Sequence, residues 1–366
     1  MRVVLAGGGT TGHISPMLAT AVALAGLDDD ARITCVGTPA GLETTLVPQA
    51  GFDLRLIPPV PLPRQVSPEL VTMPVRLAGA VRRAGRILRE ARADVVVGFG
   101  GYAALPVFLA ARLAGVPVVV HEANAVPGLA NRVAARFAAR VLVTFANTGL
   151  PRQQVVGMPI AARIAGLDRA GAKEQARAAF GLDPQLPVLL VSGGSQGART
   201  LNQATITALP DLARADIAVL HITGQANFDT PVDTTGIAES RYVRRAYVND
   251  MATAYAAADM MLARAGAATV AETAMVGLPA IFVPLPHGNG EQAKNAAGSV
   301  AAGAGILVKD AELTPARLVS QVRWLTSGDR LARMSRAGTD LMPRDAAEKV
   351  AREAMAAATT RRRKRQ

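Results

Sequence analysis

One cysteine, 4% aromatic residues and no long unbroken apolar run set the first limits on this 366-residue chain. Cys35 alone excludes a disulfide within the chain and any cysteine-cluster metal site. Few aromatic rings, none interleaved with basic residues, leave no platform for stacking on nucleic-acid bases. Ala, Val, Leu and Gly supply the packing instead, which suits buried parallel strands under Ala-rich helices. The most apolar stretch, residues 103–120, is broken by Pro106, Arg112 and Pro117, so no membrane-spanning helix is expected. Arg2 is followed by only four apolar residues before the glycines, too few for a signal peptide. A cytosolic or peripheral protein is therefore expected.

Half of the residues are hydrophobic, and 366 residues suit two domains better than one core. Acids are outnumbered, giving a net charge of +12. Arg361-Arg362-Arg363-Lys364-Arg365 forms a basic tail, and Arg76, Arg82, Arg83, Arg86, Arg89 and Arg92 form a cluster opposed locally only by Glu90. Such segments bind nucleic acid or an anionic membrane face, or are simply solvated.

The first half alternates strand and helix. Strands are predicted at 3–6, 32–36, 52–57, 94–97, 117–121 and 140–144, with helices at 15–26, 75–92 and 103–114 and a Pro-rich loop at 58–74. The rhythm restarts at Pro187, with strands at 188–191, 217–222, 241–243, 259–262, 279–283 and 305–308, after a link near 151–165. Short apolar runs joined by helical crossovers predict doubly wound parallel sheets.

Two Gly-rich turns head the halves: Gly7-Gly8-Gly9-Thr10-Thr11-Gly12-His13 and Gly193-Gly194-Ser195-Gln196-Gly197. Each follows a strand and precedes a helix, so backbone N–H groups and a helix N-terminus can meet an anion there. In open α/β sheets ligands bind at the carboxyl ends of strands. The other loops at those ends are 98–102, His121-Glu122-Ala123-Asn124, Gly224-Gln225, 264–272 and 287–292. Residues 7–12 also match the dinucleotide fingerprint, but the second strand ends Cys35-Val36-Gly37, with no acid until Glu43 to hold a ribose. Hydride transfer loses its main support. Asp28-Asp29-Asp30 lies at the amino edge and reads as a solvated turn rather than a metal site. Glu272, early in a helix after a small-residue turn, is either a dipole partner or an acceptor for both hydroxyls of a ribose.

Together these residues resemble the MurG family of glycosyltransferases. The resemblance runs through 8–13, 94–102, 121–124, 193–199, 247–251, 264–272, Gly277-Leu278-Pro279-Ala280, Gln292 and Asn295-Ala296. It implies the α/β GT-B fold, two Rossmann-like doubly wound domains facing across a cleft. Residues 1–157 would be the acceptor and membrane-facing domain, 158–345 the UDP-sugar domain, and 346–366 a helix crossing back with the basic tail. The implied reaction is inverting transfer of N-acetylglucosamine from UDP-N-acetylglucosamine to the C4 hydroxyl of lipid I, giving lipid II for peptidoglycan. It implies no cofactor and no metal-binding acidic motif, and a peripheral place on the anionic cytoplasmic face of the cell membrane. No nucleic-acid partner is expected.

By the same resemblance the Val248 backbone reads uracil, Glu272 holds the ribose, and Ser195 with Ala267, Ala268, Thr269 and Val270 takes the diphosphate. Asn124 and Gln292 reach the sugar hydroxyls, while Thr10, Thr11 and Gly12 lie against the donor. His13 is the favoured base, because an imidazole titrates near neutrality, and Glu122 is its competitor. The membrane contact is expected at Val75, Leu77, Val81, Ile87 and Leu88 with the surrounding arginines; the alternative is that this helix merely packs its apolar stripe on the sheet. The chain departs from the family pattern at Thr11, Ala104, Ala123 and Ala161, the last standing where the family usually has Arg; Arg163 lies two residues on. The readings to be told apart are another GT-B nucleotide-sugar enzyme, whether glycolipid synthase or UDP-sugar epimerase, and a basic nucleic-acid-binding protein.

Overall fold

Two wholly parallel sheets organise the chain in the computed structural model, which describes residues 1–60, 69–287 and 289–365. Pro61, Pro63 and Pro68 of the Pro-rich loop, Gly288 and the side chains of the 361–365 tail lie outside the described residues. The chain divides into two compact units, Met1–Ala161 with Asp345–Gln366, and Ala162–Arg344.

The first unit runs β1 (Arg2–Ala6), α1 (Thr11–Leu27), β2 (Arg32–Gly37), α2 (Glu43–Gln49), β3 (Asp53–Leu56), α3 (Glu69–Glu90), β4 (Val95–Gly98), α4 (Ala104–Leu113), β5 (Val118–Glu122), α5 (Leu129–Ala134), β6 (Arg140–Val143) and β7 (Gln153–Val155). Its sheet order is β3-β2-β1-β4-β5-β6-β7, so the winding reverses beside β1. Ala6 pairs with Val36 on one side and Gly98 on the other, so these three strands end level. The turns that follow them are thereby brought together at one edge.

The second unit runs α6 (Ala162–Ala165), α7 (Arg169–Phe180), β8 (Val188–Ser192), α8 (Arg199–Arg214), β9 (Ala218–Ile222), β10 (Tyr242–Arg245), α9 (Met251–Ala257), β11 (Met260–Ala263), α10 (Ala267–Met275), β12 (Ala280–Phe282), α11 (Glu291–Ala301), β13 (Gly305–Leu307), α12 (Pro315–Thr326) and α13 (Arg330–Thr339). The order is β10-β9-β8-β11-β12-β13, and Ser192 pairs with Ile222 and Ala263. Its switch point lies between β8 and β11, where ligands bind in sheets of this kind.

The last helix, α14 (Ala346–Arg365), belongs to the first unit. Val350, Ala351, Ala354, Ala357 and Ala358 join the core beneath Val3, Leu5, Val95, Val97, Val119 and Leu142. Small side chains let this helix approach the sheet closely.

Three local expectations change. The edge strand β7 falls within the segment read as a link, because three residues as polar as Gln153-Gln154-Val155 carry no apolar run. Helix α3 starts at Glu69 and accommodates Pro74, forgoing one backbone N–H. Its apolar stripe also divides. Ile87 and Leu88 are buried in the core, and Val81 packs on it, so these three face the sheet and not a bilayer. Val75 remains 76% exposed, with Leu77 half-buried and Arg76, Arg82, Arg83 and Arg86 outward. At the amino edge, Asp28 accepts the Asp30 N–H, as a turn would have it.

Candidate active site

In the first unit the turn after β1 ends at exposed Thr10, and Thr11, Gly12 and His13, half-buried, form the start of α1. Thr10 has the extended backbone of a residue just before a helix, and its hydroxyl lies 3.3 Å from His13 Nδ1. The turn after β4 closes over the ring: a Cβ on Gly100 would stand 3.1 Å from His13 Cδ2. Burial lowers the His13 pKa, partly opposed by a hydrogen bond to the Gly8 backbone and by the Glu43 charge. The imidazole is therefore neutral at pH 7 and able to take a proton.

Glu122 ends β5 with 3% of its surface exposed. Its carboxylate accepts the Asn124 N–H at 2.9 Å, the Gly128 N–H at 3.0 Å and Asn131 Nδ2 at 2.9 Å. Burial raises its pKa against these bonds. Such a group folds the 123–128 loop, and taking a substrate proton would break what holds that loop. Glu122 thus supports the loop that carries Asn124. Neighbouring His121 is buried, bonded through Nε2 to the Gly157 carbonyl at 3.0 Å, and pushed down to about 4 by burial.

In the second unit Ser195 lies half-buried in the turn after β8, beside the turn from Arg264 to Gly266 after β11. Gly266 caps α10 in extended conformation, so the first N–H groups of Ala267, Ala268 and Thr269 have no partner within the helix. They and the helix dipole favour an anion there. Val270 is buried beneath them. Glu272, half-buried on α10, accepts the Tyr255 hydroxyl at 2.6 Å. Burial raises its pKa to about 7, and the Tyr255 bond offsets only part of that. Tyr255 sits on α9, into which the Val248 loop leads, so this bond ties the Val248 and Glu272 elements together.

Gln292, in the first turn of α11, accepts the Leu285 N–H at 2.9 Å through Oε1. The loop before it is braced by Arg264 Nη1, which donates to the Val283 carbonyl at 3.2 Å and the Pro284 carbonyl at 3.3 Å and pairs with Asp310. Arg163, the cation nearest in sequence to Ala161, pairs with Asp250 at 2.6 Å and stays 74% exposed.

The structure thus gathers Ser195 and 267–270 at one switch point, with Glu272 on the same helix. His13, Gly100, Asn131 and Glu122 form one contiguous group in the other unit. Sequence reasoning missed Asn131, Tyr255 and Asp310. Tyr255 did leave a signal, being one of only four tyrosines and set in a run of alanines.

Residues 3–143 match the glycosyltransferase family 28 N-terminal domain, and residues 188–350 the C-terminal domain of the same family. The transferase of Cutibacterium acnes named UDP-N-acetylglucosamine–N-acetylmuramyl-(pentapeptide) pyrophosphoryl-undecaprenol N-acetylglucosamine transferase is 52% identical, over 98% of either chain. The chain belongs to the MurG family. A Nocardioides member of the same name is 54% identical over 96% of this chain and 97% of its own. Among solved structures, MurG of Acinetobacter baumannii matches with a TM-score of 0.76 at 30% identity, over 97% of this chain and 99% of that one. The S. aureus MnaA–UDP co-structure matches at TM-score 0.67 and 12% identity, covering 96% and 95%, and bears on the fold alone. The MurG fold is GT-B, and the chain is a glycosyltransferase.

Proposed function

We propose that the protein transfers N-acetylglucosamine from UDP-N-acetylglucosamine to the C4 hydroxyl of the N-acetylmuramyl-pentapeptide of lipid I, giving lipid II with inversion at the anomeric carbon. The observation that carries this reading is near-full-length identity above 50% to relatives bearing that activity in their names.

The chemistry is a single displacement. The acceptor oxygen forms its bond to the anomeric carbon while the carbon–oxygen bond to UDP breaks; the hydroxyl proton passes to His13, and UDP leaves as an anion. Neutral His13 supports the first task. The N–H groups at Ala267–Thr269 and the turn of Ser195 support the last, stabilising charge as it develops on the diphosphate. Glu272 takes the ribose hydroxyls, the Val248 backbone the uracil, and Gln292 and Asn124 the sugar. Thr10, Thr11 and Gly12 are also assigned to the donor. The test is transfer of labelled N-acetylglucosamine to a short-chain lipid I analogue. The expected product is one β-linked disaccharide on the lipid; labelled lipid with the α linkage, or none, contradicts the reading.

A lipid acceptor requires a membrane surface. Among the described residues no helix is long and apolar enough to cross a membrane. The proposed contact is the outward face of α3, where exposed Val75 stands with Arg76, Arg82, Arg83 and Arg86. Exposed cations of this kind add affinity for anionic lipid that salt screens. Vesicles containing anionic lipid are expected to bind the protein more tightly than neutral ones, and high salt to release it. Reversing Arg82, Arg83 and Arg86 to Glu should abolish the difference; unchanged binding would place the contact elsewhere, first of all in the 361–365 tail.

A further inference from the structure

The first Gly-rich turn already holds an anion of the protein's own. Glu43, at the start of α2, is completely buried where β1 and β2 end level. Its Oε2 accepts the Gly9 N–H at 3.0 Å, and its Oε1 accepts the Thr38 N–H at 2.7 Å and the Thr38 hydroxyl at 2.9 Å. Gly8, Gly37 and Gly41 make the space. A Cβ at any of the three would collide with the Glu43 side chain. These glycines therefore serve an internal carboxylate, and one N–H of the turn is already spent on it. Gly101 then packs on the Gly8 backbone from the other side, and Gly100 meets His13.

We infer that Glu43 is a positioning residue for the transfer reaction: its carboxylate fixes the Gly7–Thr10 turn from within and so sets the bearing of His13. This role rests on the reading of His13 as the base. The two hydrogen bonds on Thr38 anchor the carboxylate to the end of β2, and the one on Gly9 passes that anchorage to the turn. Its bonds to Thr38 and Gly9 outweigh burial and hold the carboxyl below its ordinary range, so Glu43 is ionised at neutral pH. A buried carboxylate with three donors and a glycine cradle costs a fold three side chains. A turn needing only to be closed has cheaper solutions, such as a local hydrogen bond between neighbours.

The test compares Glu43→Gln, His13→Ala and the double variant in the full chain, with kcat, KM for both substrates and UDP affinity measured on each. Gln keeps the volume but turns one acceptor into a donor facing the Gly9 or Thr38 N–H. Expected is a fall in kcat of about 10- to 100-fold, as a slightly misplaced group would cause, with KM for the donor and UDP affinity changed less than about threefold. A role through His13 also predicts strong non-additivity, the double variant being no slower than His13→Ala alone. A folded Glu43→Gln enzyme with unaltered kcat overturns the role, and so do losses that multiply in the double variant. If Glu43→Gln fails to fold, Glu43→Asp carries the same comparison: the charge stays but the reach shortens, and kcat should fall with KM held. Normal turnover by His13→Ala would instead remove the base assignment, whereas the kcat of Glu43→Gln separately decides whether the turn must be held.

Discussion

Replacing His13 by Ala is expected to lower the turnover of bound substrates by about 10²–10⁴-fold and to leave UDP affinity nearly intact. The split follows from where the ring sits. His13 lies in the first unit, against Gly100 and beside Thr10, whereas the groups assigned to UDP all lie in the second. Burial keeps the imidazole neutral at the pH of the cell, so it is ready to accept a proton without first losing one. The alternative carboxylate is occupied: Glu122 holds Asn124, Gly128 and Asn131. Glu122→Gln should therefore show losses in thermal stability along with activity, because the 123–128 loop loses an acceptor. His13→Ala should show the kinetic loss alone. Normal kcat in His13→Ala at saturating substrates would remove it from the chemistry.

The second large effect concerns UDP itself. Glu272→Ala is expected to weaken UDP binding by roughly 5- to 150-fold, the worth of about 1–3 kcal/mol of lost hydrogen bonding. Gln292→Ala should leave UDP affinity almost unchanged and weaken the sugar nucleotide, since UDP lacks the N-acetylglucosamine assigned to it. The pKa of about 7 adds a pH test. On the proposed role, ionised Glu272 accepts from both ribose hydroxyls, so UDP affinity should rise as pH climbs through about 7, and this rise should vanish in Glu272→Gln. The linkage for folding has the opposite sign. A carboxyl raised from 4.5 to about 7 contributes stability below its unfolded value and loses it as pH rises through the folded one. Without ligand, Glu272→Gln should therefore gain thermal stability relative to the parent above pH 7 while losing UDP. Tyr255→Phe removes the bond that favours the ionised form, and should move the binding midpoint upward. Equal losses of UDP affinity in Glu272→Ala and Gln292→Ala, measured by calorimetry, would contradict the assignment of both.

Much of the fold was legible because parallel strands buried on both faces leave short apolar runs, such as Val188–Val191, between Gly-rich turns. The turns richest in Gly, Ser and Thr fall where the strand order reverses, a position that only the strand order shows. What escaped reading were bonds between segments distant in sequence. Glu43 and Gly9 are 34 residues apart, and nothing local to either says that one fills the other's turn. Tyr255 and Glu272 lie on separate helices, so their bond depends on how α9 and α10 pack. The α3 stripe was misassigned for a related reason: helical periodicity shows that Val81, Ile87 and Leu88 share a face, but not what covers it. The sheet covers it.

The central claim, that UDP leaves only as its sugar moves to a lipid-linked acceptor, is tested most directly by UDP release from UDP-N-acetylglucosamine with and without a lipid I analogue. The reaction proposed here predicts release that depends on the analogue and matches disaccharide-lipid formed, mole for mole. Conversion of UDP-N-acetylglucosamine in the absence of any lipid, as an epimerase would perform, would contradict it.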